Sequence, residues 1–245
     1  MIAVESKTVL KCFIEGKMNN LIEFNNLKLN MEEVLMILGY FGSSSTDYEA
    51  EIKSAYDEVM KISNVSYVYQ VLPLNNMKLG QTNISIDSPD LVKLLRGCKS
   101  CIISAQTLGV SIDNYLRKTG IMDLAKEVVL DAVASSYIEA VSQKIYDELQ
   151  STYLNEGYFF TERFSPGYGQ VPISLNLEFS NILNAERRIG LKVAGSGLMI
   201  PRKSVVAIWG VSDTPVIDSI DRCSDCKLRF DCKIRESGEF CARKK

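Results

Sequence analysis

The sequence predicts an α+β fold, in which helices pack in a layer against a largely antiparallel sheet. Segments with helical periodicity alternate irregularly with segments rich in β-branched and aromatic residues, without the regular βαβ order of a parallel sheet and without an internal repeat. No Pro/Ser/Gly-rich linker divides 30–211, so that span reads as one domain followed by a tail. With 245 residues, 46% hydrophobic and 24% charged, the chain has the composition of a globular protein that can bury a substantial core.

Residues 1–30 read as short strands or irregular entry structure. In "NMEEVLMILGY", Asn30 is an N-cap, Glu32 and Glu33 lie in the first turn and Gly39 stands near the end, the signals of a short helix. A serine loop, "SSSTD", then opens an amphipathic helix over about 47–62. "VSYVYQVLPLN" is a strand expected to stop at Pro73. Ser88 and Pro89 supply the N-cap and first position of a helix in "SPDLVKLLRGC", and "KSCIISAQTLG" is a buried strand turning at Gly109. A long helix is expected over about 121–150. Its middle carries Ala132, Ala134, Ser135, Ser136 and Ala140, small side chains that suit tight helix packing or the close approach of a ligand. "SLNLEFSNILNAERRIG" reads as one helix ended by a left-handed Gly190, and "LKVAGSGLMIPRKSVVAIWGV" as two strands broken at Pro201.

Several classes of function are excluded by composition. The chain has no histidine, which removes Ser-His-Asp and Cys-His catalysis, histidine-bearing zinc sites and any protein imidazole ligand to cobalt or iron. A net charge of -2 argues against a general nucleic-acid binder. No apolar run approaches the roughly 18 residues of a membrane helix, and the longest, "SVVAIWGV", has strand length. The N-terminal "MIAVESKTVLKCFIEGK" has no hydrophobic signal region, so a cytoplasmic location and no membrane partner are expected.

The charge is unevenly spread. Residues 222–245 hold eight Lys/Arg against four Asp/Glu, a tail of +4 on a remainder of -6. That tail contains Cys223, Cys226, Cys232 and Cys241 in a C-x2-C-x5-C-x8-C pattern, four of the seven cysteines in the chain. A segment this short and basic cannot bury enough apolar surface to fold alone, which points to a bound metal, and the interleaved Lys227, Arg229, Lys233 and Arg235 offset thiolate charge. The irregular spacing suits an iron–sulfur cluster better than structural zinc, which favours paired C-x2-C knuckles; zinc and a metal-free tail stay open as alternatives. Cys98 and Cys101 form a second C-x2-C, read as structural because Cys101 begins an apolar strand.

One segment stands out, "RFSPGYGQVP" over 163–172. Arg163 presents a planar fork suited to a carboxylate or phosphate. Pro166-Gly167 is a turn dipeptide, Gly167 and Gly169 let backbone approach a flat ligand, and Tyr168 offers a ring to pack on it. On these residues alone, a surface turn carrying a solvated arginine is the better explanation.

In order along the chain, "RFSPGYGQVP", "ERRIGLKV" and "SGLMIPRKSVVAIWG" resemble the activation domain of cobalamin-dependent methionine synthase, with its R-x-x-x-G-Y segment, glycine-ended helix and M-x-P-x-x-S-V strand pair. "LDAVASSYIEAV" and "CIISAQTLG" resemble earlier segments of that domain, so the resemblance covers about 88–211 well and 30–87 loosely. It implies a C-shaped α+β domain, residues 1–221, around a bent, mainly antiparallel sheet. It also implies a function acting in trans: reductive methylation of an oxidised cobalamin carried by a methionine synthase or another corrinoid protein, with S-adenosylmethionine as methyl donor and a flavodoxin or ferredoxin-like electron donor. On the same resemblance Arg163 holds the methionine carboxylate, Ser165 to Gly167 and Tyr168 frame the nucleoside, and Glu139 is an acidic ligand contact; as a residue alone, Glu139 reads equally as a solvated helix glutamate. The chain departs from the family between Trp209 and Ile220, where the family's ligand-contacting tyrosines have no counterpart. Two other classes remain: an iron–sulfur electron carrier for corrinoid proteins, and a non-catalytic docking module whose tail holds zinc.

Overall fold

The computed structural model describes residues 22–24, 27–40, 48–75, 77–80, 82, 84–216 and 230. Most of 1–30, the serine loop and the four tail cysteines lie outside the described residues. Seven helices and seven strands follow in chain order: α1 Met31–Ile37, α2 Glu49–Ile62, β1 Ser66–Asn75, β2 Lys78–Leu79, α3 Pro89–Leu94, β3 Ser100–Thr107, α4 Val110–Met122, α5 Leu124–Leu154, β4 Phe159–Phe160, α6 Leu175–Leu183, α7 Ala185–Ile189, β5 Lys192–Val193, β6 Met199–Ile200 and β7 Ser204–Ser212, counted among the described residues.

The expected α+β architecture is present. A five-stranded sheet runs in the order β2-β1-β3-β7-β4, with every neighbouring pair antiparallel. Its centre is β3, paired over eight positions with β1 (Ser66↔Thr107 to Pro73↔Ser100) and over eight with β7 (Ser100↔Val211 to Thr107↔Ser204). β3 and β7 are buried almost throughout, because helices cover both faces. On one face Ile102, Val205, Ala207, Trp209 and Val211 pack with α1, α2, α4 and α5. On the other, Cys101, Ile103, Ala105, Val206 and Ile208 pack with α3, α6 and α7. The long α5 supplies thirteen buried residues and is apolar over much of its circumference, as a helix packed between a sheet and other helices must be.

Four boundaries differ from the sequence reading. β1 runs through Pro73: Leu74 N–H already bonds Lys99 O at 2.9 Å on the β3 side, so Pro73 faces away from β3, where only its carbonyl is used, by Gly80 N–H at 2.7 Å. The long helix begins at Leu124, because Asp123 leaves helical geometry and caps it through Lys126 N–H at 3.0 Å; α4 precedes it as a separate helix. Asn184, at φ 52°, divides the expected single helix into α6 and α7, while Gly190 at φ 69° ends α7 as read from the sequence. The segment 191–212 forms three strands, since β5 and β6 make a small hairpin ahead of β7.

Polar ties join the layers. Asn30 caps α1 through Glu33 N–H at 3.2 Å. Lys203, buried at the head of β7, meets Asp131 Oδ1 at 2.9 Å and Ser135 Oγ at 2.7 Å on α5. Glu58 on α2 accepts from Lys126 Nζ at 2.8 Å and Tyr115 Oη at 2.6 Å, and these bonds, Lys126 first, hold its carboxyl below the usual range.

Trp209 is fully buried between Tyr146 (ring centroids 5.4 Å) and Phe160 (6.1 Å). Trp209→Ala is expected to cost about 3–5 kcal/mol in urea unfolding, and a loss below about 1 kcal/mol would contradict this packing. A group whose folded pKa is depressed adds stability above its unfolded pKa and loses it as pH falls through the folded one. The stability difference between the native protein and Glu58→Gln should therefore be largest near neutrality and shrink below about pH 4; a difference that grows on acidification would contradict the assignment.

Candidate functional site

The site begins as an irregularity at the β7 edge. β4 pairs with β7 through Phe160↔Val211, and Thr161 continues the ladder, its N–H bonding Gly210 O at 3.1 Å. Phe164 and Ile208 then exchange backbone bonds of 2.9 and 2.8 Å. From Phe160 to Phe164 the edge advances four residues while β7 advances three, from Val211 to Ile208. One extra residue is therefore absorbed around Glu162 and Arg163, a bulge of the kind that re-aims side chains. Phe164 enters the core beside α3 and α6. Arg163 turns to the opposite face, toward α5.

There Arg163 Nη2 donates to Glu139 Oε2 at 2.7 Å and Nη1 to Ser142 Oγ at 2.6 Å. Glu139 and Ser142 are three residues apart and so share a face of α5. Gln106 of β3 donates its amide N–H to the same Ser142 hydroxyl, while its Oε1 is buried with no hydrogen-bond partner among the described residues. The Arg163 side chain is 13% exposed and that of Glu139 32%, so the ion pair lies at a boundary between core and solvent, where charge-assisted bonds count for more than on an open surface. A planar cation with a carboxylate beside it has the charge arrangement that complements a zwitterion, a guanidinium matching a carboxylate and a glutamate matching an ammonium.

Beyond Phe164 the chain closes a compact loop. Gly167 N–H bonds Val171 O at 3.0 Å, Val171 N–H bonds Tyr168 O at 3.0 Å and Tyr168 N–H bonds Ser165 O at 3.4 Å. Gly167 and Gly169 adopt φ of 97° and 53°, left-handed geometry that glycine takes without penalty. Tyr168 stands at the tip, 69% exposed.

Of the residues singled out in the sequence, Arg163 and Glu139 are in direct contact, and Ser165, Gly167 and Tyr168 follow Arg163 in the loop. Cys223, Cys226, Cys232 and Cys241 lie outside the described residues, as does Cys12. Among the described residues no group of three or more Cys, Asp or Glu is placed to hold a metal. Ser142, Gln106 and Asp90 were not singled out. The trace of Gln106 in the sequence is an amide interrupting an otherwise apolar strand; Asp90 looks like an ordinary first-turn acid, and Ser142 carries no signal. A cleft of about 450 Å³ lies past the loop's exit, lined by Ser88, Leu91, Pro172, Ser174, Leu175 and Glu178, and includes none of the expected ligand residues. The chemistry and this cavity do not coincide, and the charged groups are the better guide to function.

The described architecture defines a class of fold: a mainly antiparallel five-stranded sheet between helical layers, with a polar cluster under one edge. Solved structures of this fold include one titled "Crystal Structure of the MetH Reactivation Domain bound to AdoHcy", which superposes with a TM-score of 0.56 at 16% identity over 86% of this chain and 82% of that one. At that identity the likeness is one of fold. No protein-family model matches the chain, and no curated protein matches it either. Among the described residues no helix is long and apolar enough to cross a membrane.

The structural reading of Cys98 and Cys101 has a direct check. Burial pushes the Cys98 thiol up to about 11 and that of Cys101 higher still, and Cys98 Sγ fills the space a side chain at Gly210 would need. In the folded protein at pH 8, mass-mapped alkylation should be slow at the half-buried Cys98 and leave Cys101 unmodified until denaturant is added; rapid labelling of Cys101 without denaturant would contradict its place in the core.

Proposed function

We propose that this protein supports reductive methylation of a corrinoid carried by a partner, a cobalamin-dependent methionine synthase or a related corrinoid protein, with S-adenosylmethionine bound along the Arg163–Tyr168 edge. The observation that carries the reading is the Arg163–Glu139 pair, set by the bulge in a fold shared with a reactivation domain solved with AdoHcy. S-adenosylmethionine would supply a methyl group on a sulfonium, and the partner's corrinoid the cobalt that accepts it after one-electron reduction.

The residues of this chain bind and orient. Arg163 takes the methionine carboxylate, whose charge replaces that of Glu139 at the guanidinium, and Glu139 is left to receive the ammonium. The backbone of Ser165 to Gly167 runs beside the nucleoside, and Tyr168 stacks on it from the tip. No protein acid or base is required, because the sulfonium is already a good leaving group; this agrees with a chain that contains no histidine. The protein acts in the cytoplasm and turns over only with its partner.

The domain organisation and the tail belong to the same proposal: residues 1–221 form the activation-like domain, and Cys223, Cys226, Cys232 and Cys241 in 222–245 hold an iron–sulfur cluster that passes electrons from a flavodoxin or ferredoxin-like donor. Their spacing supports this over zinc, and it also favours the second reading, an iron–sulfur electron carrier that does not bind S-adenosylmethionine.

Calorimetric titration of anaerobically purified protein separates these readings. S-adenosylmethionine should bind with one-to-one stoichiometry, and Arg163→Ala should weaken it by about one to two orders of magnitude, as expected for loss of a charged hydrogen bond, with an unchanged circular dichroism spectrum. Binding that survives Arg163→Ala, or no binding at millimolar ligand, would overturn the assignment. A brown chromophore in a protein that does not bind the ligand would favour the electron carrier.

A further inference from the structure

We infer that Asp90 is a positioning residue that fixes the glycine-tyrosine-glycine loop from below; its link to ligand binding rests on the reading of that loop as the nucleoside frame. Asp90 lies in the first turn of α3 and is 3% exposed. A carboxylate withdrawn from water needs donors, and the one provided comes from a segment 80 residues away: Gln170 N–H, at 2.7 Å from Oδ2. Oδ1 is buried with no hydrogen-bond partner, and no Lys or Arg is within ion-pairing distance of Asp90, among the described residues. The loop amide is therefore the principal compensation for the buried charge, and releasing the loop would leave the carboxylate almost unsupported.

Gly169 gives an independent sign of the same contact. A Cβ at this position would overlap Asp90 Oδ2 and come within 3.5 Å of the Phe164 ring. The carboxylate occupies the place of a side chain, so the residue between Tyr168 and Gln170 must be glycine for two reasons, its φ of 53° and Asp90. The loop is then pinned at both ends, by Phe164 on Ile208 and by Gln170 on Asp90. Only Ser165 to Gly169 spans the interval, so the Tyr168 ring and the Gly167 backbone have a set position relative to Arg163 before any ligand arrives, which lowers the ordering cost of binding.

The test uses the full chain and two readouts. Hydrogen–deuterium exchange followed by mass spectrometry should show the peptide spanning 165–171 exchanging at least tenfold faster in Asp90→Ala, and calorimetry with S-adenosylhomocysteine should show about tenfold weaker binding. Asp90→Asn, whose side-chain carbonyl still accepts from Gln170 N–H, should restore most of both; a carboxylate needed only for its charge would not be rescued. Gly169→Ala, which drives the carboxylate off the loop, should reproduce both changes and decides the matter if Asp90→Ala fails to fold. Unchanged exchange in the folded variants would overturn the pinning, and faster exchange at unchanged affinity would overturn its role in binding. If the native protein binds no S-adenosylhomocysteine, the functional reading and the link to binding fall together, while the exchange arm still decides whether Asp90 holds the loop.

Discussion

The antiparallel pairing of β3 with β7 buries both strands on both faces, and this constraint leaves irregular pairing to the outer edge of β7. With helices over each face, the margin of β7 away from β3 is the edge along which residues 159–164 run. β4 covers the end of that margin with two residues, and the chain then slips by one before pairing again at Phe164. The bulge sends Arg163 to one side of the sheet and Phe164 to the other, so that a cation and a rigid loop emerge from the same short segment. Neither would be so placed if the edge strand were regular.

Charge economy around Arg163 follows from the same layering. α5 must present apolar side chains to the sheet, yet at Glu139 and Ser142 it presents a carboxylate and a hydroxyl, met from β3 by Gln106 and from the edge by Arg163. Such a cluster adds little stability compared with apolar packing of the same volume. The contrast with Lys203 is instructive. It is also an inward cation facing α5, but Asp131 and Ser135 bind it and only 8% of its side chain is exposed, as suits a structural tie.

Much of the fold could be read from the sequence because local signals agree with tertiary ones. Asn30 caps α1, Gly190 closes α7, and the unbroken apolar run "SVVAIWGV" is a strand covered on both sides. The misread boundaries are those where a tertiary partner overrides a local rule: Pro73 is tolerated because its absent N–H faces away from β3, and Asn184 takes a left-handed turn that its helical neighbours conceal. The site was legible as residue types, Arg163 with its glycines and Glu139 on a small-residue helix, and the resemblance tied them to one ligand. Its supports were not legible. Ser142, Gln106 and Asp90 gain their roles only from contacts across the fold, and the one-residue slip at the edge of β7 has no signature in a single strand.

The central claim is that the Arg163–Glu139 pair is a ligand site held ready by the bulge. The most direct measurement is a crystal structure of the protein grown with S-adenosylhomocysteine. The account predicts ligand density along 163–168, with the amino-acid carboxylate on the Arg163 guanidinium, the ammonium on Glu139 and the loop backbone unmoved. Ligand density elsewhere, in the cleft beside Pro172 for example, with the Arg163–Glu139 bond intact, would contradict it.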